Sequence, residues 1–112
     1  MSSERRRDTR FEINQIVEMS FGRETFLHAT GLNVSKTGML CETDSYLEPY
    51  TQVSFMMSLP IGSVTVRISC EGIVVRSDIE SDRYLAGISF TSMSDEDAQT
   101  LDKFLKSQKS TK

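Results

Sequence analysis

Val64-Thr65-Val66-Arg67-Ile68-Ser69-Cys70-Glu71-Gly72-Ile73-Val74-Val75 alternates apolar and polar residues with a period of two, as a half-buried strand does. Val64, Val66, Ile68 and Cys70 share one face, and Thr65, Arg67, Ser69 and Glu71 the other. After Gly72 the apolar positions shift to Ile73 and Val75, so a one-residue bulge at Glu71-Gly72 is expected to restore the inward face and bend the strand. Bent strands close into barrels, and the neighbouring sequence supplies the rest of one.

Upstream, Phe11, Ile13, Val17, Met19 and Phe21 alternate with polar partners, and a turn follows at Gly22-Arg23-Glu24. A second strand runs from Thr25 to Val34, and Ser35-Lys36-Thr37-Gly38 turns the chain into a third, Met39 to Glu42. Thr43 to Tyr50 reads as a longer connection. Val53, Phe55, Met57 and Leu59 mark a fourth strand, expected to stop at Pro60 and Gly62. Downstream of the opening stretch, Tyr84, Ala86, Ile88 and Phe90 form a sixth strand. Six strands joined by short turns predict an all-β fold, an antiparallel barrel rather than an open sheet.

The period then changes. Ser94 is a good N-cap, and Asp95, Glu96 and Asp97 suit the positive end of a helix. Ala98, Leu101, Phe104 and Leu105 give one apolar face, which predicts a short C-terminal helix docked on an open end of the barrel. The chain thus reads as a flexible arm at 1–10, one barrel domain at 11–107 and a disordered tail at 108–112.

Length and charge narrow the function. The 112 residues suffice for one domain with a real core, and 26% charged residues describe a soluble protein. No stretch approaches the roughly 20 apolar residues of a membrane helix, so no membrane insertion is expected. The charged N-terminus is unlike a secretory signal, which makes the cytoplasm the expected location. There, Cys41 and Cys70 read as ordinary buried thiols.

Residues 1–10 carry four Arg against Glu4 and Asp8, whereas residues 11–102 carry five cations against fourteen carboxylates. An acidic body repels a DNA or RNA strand, but an arginine arm can still hold a small anion.

Machinery for catalysis is not evident. His28, the single histidine, lies within a strand pattern and reads as structural. No Ser, Cys or Asp has an identifiable base beside it, and no metal-ligand cluster is apparent. The protein is therefore expected not to be an enzyme and to need no cofactor. Two other segments carry chemistry. Arg5, Arg6, Arg7 and Arg10 read either as a solvated tail or as an arm tethered where Phe11 begins its strand. Guanidinium forks match phosphate oxygens and the O6/N7 edge of guanine. Asn33, Ser35 and Gly38 read either as a hydrogen-bonded turn or as a ligand shelf. On extended backbone Asn33 and Ser35 point to the same side, and Gly38 supplies a positive φ or leaves room for a flat base.

The combination Arg6-Arg7-x-x-Arg10 followed by Asn33-x-Ser35-x-x-Gly38 resembles the paired motif of the PilZ family, bacterial receptors for cyclic di-GMP. The resemblance covers nearly the whole chain, including Leu85-Ala86-Gly87-Ile88-Ser89-Phe90 and the helix that follows. It implies a six-stranded split barrel with a C-terminal helix. By the same resemblance Arg6 and Arg10 clamp phosphates and guanine Hoogsteen edges, with Arg7 assisting. Asn33 and Ser35 hydrogen-bond a guanine, Gly38 keeps the shelf open, and Arg5 touches a second, stacked nucleotide. The family uses Asp or Asn at the first position of the second motif. Asn33 fits that pattern, without a carboxylate's charge. The implied function is a receptor, monomeric or weakly dimeric, whose arm orders around cyclic di-GMP and signals to a downstream protein partner. The alternative is a protein-interaction module of the same fold that binds no nucleotide.

Overall fold

The computed structural model describes residues 11–21 and 25–109. The arginine arm, the Gly22-Arg23-Glu24 turn and the last three residues of the expected tail lie outside the described residues. The strands are β1 (Phe11–Phe21), β2 (Thr25–Val34), β3 (Gly38–Thr43), β4 (Gln52–Ile61), β5 (Val64–Glu80) and β6 (Arg83–Ser92), followed by helix α1 (Asp95–Lys109). They close into a barrel in the order β1-β2-β3-β6-β5-β4, every neighbouring pair antiparallel. The expected six-stranded barrel and C-terminal helix are both present.

Closure is uneven. β4 pairs with β5 along its whole length, but with β1 only from Val53 to Met56. Beyond Met56 that side of β4 has no strand partner among the described residues, and there Pro60 costs no ladder bond. This explains why β4 continues through Pro60 to Ile61 instead of stopping at the proline. Gly62, at φ 62°, turns the chain into β5.

Inward-facing side chains from all six strands fill the lumen, among them Val17, Met19, Val34, Met39, Cys41, Phe55, Met57, Ile68, Val74 and Ile88. Leu101, Phe104 and Leu105 of α1 are buried against β4 and β5 as part of the same cluster. The expected cap forms: Ser94 Oγ accepts the Asp97 N–H at 3.0 Å. Ala98, expected on the apolar face, is exposed. Contact at that first turn is polar instead, the Asp97 carboxylate accepting the Ser69 N–H at 3.1 Å. Burial pushes both thiols up to about 12, with Glu71 and Asp97 adding to the effect at Cys70. Both cysteines are free and buried, as the sequence suggested.

The opening stretch does not bulge as expected. Ile68, Cys70, Gly72 and Val74 keep one parity and are all buried, whereas Ile73 is half-buried and Val75 is exposed. β5 holds an unbroken register with β4, and the irregularities lie on its β6 side. Glu71 faces Ser92 while Gly72 faces Phe90, which makes Thr91 of β6 the extra residue at that level. Val74 faces Ile88 while Arg76 faces Gly87, which makes Val75 the extra residue in β5. The cause is close packing at Gly72. A Cβ there would lie 2.7 Å from Ile88 Cγ2 and 2.8 Å from the Ser89 carbonyl oxygen, so an inward glycine keeps the parity that an apolar side chain would have broken.

β5 also extends past the expected apolar run, to Glu80. Its extension is held by β6 and by the β3–β4 connection. Tyr50 N–H donates to the Val74 carbonyl, Val74 N–H donates to the Thr51 carbonyl, and Ser77 Oγ–H donates to the Leu47 carbonyl. Leu47, within this connection, is buried, and the Tyr46 ring meets Tyr84 edge-on at 6.3 Å.

Gly72→Ala is expected to destabilise the barrel by about 1–3 kcal/mol, because backbone in β6 must move to admit the methyl group. Urea unfolding measures it. The buried thiols are expected to resist iodoacetamide at pH 8.5 in the folded protein and to react once it is unfolded in urea, since only the thiolate is nucleophilic. Mass spectrometry reads both states.

Candidate functional site

The second motif sits where two ladders change register. Between Gly31 and Asn33 the β2–β3 pairing skips Leu32, and between Glu12 and Gln15 the β1–β2 pairing is also irregular. Upstream of Leu32, Ala29 and Gly31 are buried; downstream, Val34 is buried and Asn33 is half-buried. The bulge therefore turns Val34 into the core and leaves Asn33 on the outer surface. Gly31 is itself tightly enclosed, with Ile13 Cδ1 3.0 Å from where a Cβ would lie.

Ser35 is almost completely buried, and its hydroxyl is committed to the turn. It accepts the Thr37 N–H at 3.2 Å and donates to the Gly38 carbonyl at 3.4 Å, while Ser35 N–H donates to the same carbonyl at 2.9 Å. The Thr37 carbonyl accepts the Phe90 N–H at 2.9 Å, which ties the turn to β6. Gly38 starts β3 without a positive φ; among the described glycines only Gly62 has one. Of the two roles considered for Gly38, leaving room is thus the one compatible with its backbone.

Asn33, Thr37 and Gly38 border a surface cleft of about 460 Å³ that crosses the outer face of β3 and β6 to reach β5. Gly87 and Ser89 line its middle, and Val75 and Arg76 its far side. The volume is that of a small-molecule site. Among the described lining residues Arg76 is the one charged group, and its guanidinium is paired with Asp78 at 3.3 Å. A second hollow of about 470 Å³, between β1, β4, β5 and the start of α1, is bordered by Glu18, Glu71 and Asp97. Three carboxylates repel an anion from the second, and no such cluster lines the first among the described residues.

Of the residues singled out from the sequence, Asn33 and Gly38 border the cleft, whereas Ser35 is buried instead of sharing a side with Asn33 as expected, because its hydroxyl closes the turn. Arg5, Arg6, Arg7 and Arg10 lie outside the described residues. The chain that follows them is fixed, however: Phe11 pairs with Val34 and Glu12 with Asn33. The arginine segment is therefore joined to the barrel directly opposite the second motif. Sequence reasoning missed Arg76, Thr37 and Ser89. Arg76 was hidden because its placement depends on the Val75 bulge, which only the pairing with β6 creates.

Comparison with known proteins identifies the family and the fold. The sequence profile described as the PilZ domain matches residues 4–107, and the chain belongs to that family. Among solved structures, the Bacillus subtilis inhibitor of motility, MotI/DgrA, superposes with a TM-score of 0.80 at 18% identity, over 92% of this chain and 51% of that one. This chain thus spans about half the length of MotI/DgrA. The PilZ domain of YcgR from Escherichia coli, solved with c-di-GMP, superposes with a TM-score of 0.66 at 13% identity, over 92% of this chain and 90% of that one. At these identities the likeness is one of fold. Among curated proteins none matches the sequence significantly.

Gly87 offers a way to close the cleft without touching the core. A Cβ there meets only Arg76 Cβ, at an ordinary 3.4 Å. Gly87→Leu is expected to leave urea stability within about 1 kcal/mol, because the site is on the surface. It is expected to fill the cleft and to block any ligand that seats there, as read by calorimetry.

Proposed function

We propose that this protein is a bacterial cyclic di-GMP receptor that acts in the cytoplasm and has no catalytic step of its own. The observation that carries this reading is the β1–β2 register, which joins the arginine segment to the barrel beside Asn33. Membership of the PilZ family and the fold shared with a YcgR domain solved with c-di-GMP support the same ligand. Asn33 presents an amide to a guanine edge, Gly38 leaves space for the base, and Ser35 holds the turn that carries them. Arg6 and Arg10 take the phosphates, assisted by Arg7, while Arg5 reaches a second nucleotide.

The signal follows from electrostatics. Four like charges within six residues (Arg5 to Arg10) repel one another, and two phosphate charges relieve that repulsion. Binding therefore orders the arm across the barrel and changes the surface offered to a protein partner. The acidic body keeps nucleic acid strands from competing for the same arginines.

Arg6→Ala and Arg10→Ala are each expected to weaken cyclic di-GMP binding by about 2–5 kcal/mol, as truncation of charged contacts does, with thermal stability unchanged. Calorimetry with the full chain measures both affinity and stoichiometry. Unchanged affinity in both variants would refute the assignment.

A further inference from the structure

We propose that Arg76 is a further ligand-binding residue, one that reads the O6/N7 edge of the guanine held by Asn33 and is kept in reserve by Asp78. This rests on the cyclic di-GMP reading and adds to it a contact from the barrel wall, outside both sequence motifs: Arg76 takes the Hoogsteen edge of the guanine held by Asn33, and Arg6 and Arg10 take the phosphates and the other guanine.

Position comes first. Asn33 on β2 and Arg76 on β5 border the same cleft from opposite sides, with β3 and β6 between them. At the usual strand spacing, three ladder steps separate the two backbones by at most about 14 Å along the sheet. A purine with one hydrogen bond at each end fits that span, because the arginine side chain supplies the remaining reach. The strand opposite leaves the path open: Arg76 pairs with Gly87, which has no side chain to stand between the guanidinium and the cleft. The bulge at Val75 is what places both Val75 and Arg76 on this surface. Val75 is 55% exposed, an apolar surface beside the arginine for the face of a base.

Chemistry matches the position. An amide facing the N1–H and N2–H groups reads one edge of guanine, and a guanidinium fork facing O6 and N7 reads another. Adenine presents an amino group in place of O6 and clashes with a donor there, so Arg76 gives the cleft a preference for guanine over adenine.

The reserve lies two residues along the same strand. Arg76 Nε donates to Asp78 Oδ2 at 3.3 Å, and the arginine side chain is 74% exposed. A solvent-exposed pair of this kind holds weakly, while a bidentate contact to a base edge is stronger and more directional. The pair orients Arg76 in the free protein and yields when guanine enters. Asp78 is then a competitor, and its removal favours the bound form.

Calorimetric titration of the full chain with cyclic di-GMP tests this in four proteins: wild type, Arg76→Ala, Asp78→Asn and the double variant. Arg76→Ala is expected to weaken binding about tenfold or more and to narrow the preference over cyclic di-AMP. Asp78→Asn is expected to tighten binding by about two- to fivefold. In the Arg76→Ala background Asp78→Asn is expected to change nothing, which separates competition for Arg76 from a general loss of negative charge. Affinity of Arg76→Ala within twofold of wild type, or an Asp78→Asn effect independent of Arg76, overturns the proposal while leaving the receptor reading intact. A wild-type protein that binds no cyclic di-GMP overturns both. Circular dichroism melts confirm that each variant is folded.

Discussion

The register between β1 and β2, with Phe11 opposite Val34 and Glu12 opposite Asn33, is the constraint on which the candidate site depends. Glu12 and Asn33 are more than twenty residues apart in the chain. A hairpin turns that separation into adjacency, because antiparallel pairing brings the start of one strand to the end of the next. Irregularities in the flanking ladders then set which way the side chains face. Without the Leu32 bulge, the alternation that buries Ala29 and Gly31 would bury Asn33 and expose Val34. One additional residue in β2 thus converts a core position into a surface amide.

The same economy operates on the far side of the cleft. β5 is the longest strand and takes its curvature from glycine and bulges. Gly72 lets β6 approach until its backbone would touch a Cβ, and Val75 is squeezed out as the ladder re-registers. The barrel wall therefore bends where it also presents Arg76. Packing within the core and composition of the surface are linked at this strand, since the close approach at Gly72 and the exposure of Val75 belong to one run of β5–β6 pairing.

Charge separates the two hollows of nearly equal volume. One is bordered by Arg76 among neutral side chains, the other by Glu18, Glu71 and Asp97. The carboxylates exclude an anion from the second, while in the first Arg76 is held only by an exposed pair with Asp78. Shape alone would not have chosen between them.

Much of this was legible in the amino-acid order. Period-two alternation found every strand, Ser94 and its acidic followers found the helix start, and the spacing of Asn33, Ser35 and Gly38 found the turn that borders the cleft. Those features depend on neighbours within a few residues, whose contacts the chain itself dictates. The inward face of β5 beyond Cys70, the burial of Ser35 and the place of Arg76 were not legible. Each is set by how closely a distant strand approaches: β6 against Gly72, β6 against the Ser35 turn through Thr37 and Phe90, and β6 against Val75. Sequence by itself determined the elements and the chemistry available to them; tertiary structure decided which side chains share a surface, because register between strands is fixed by packing across the barrel.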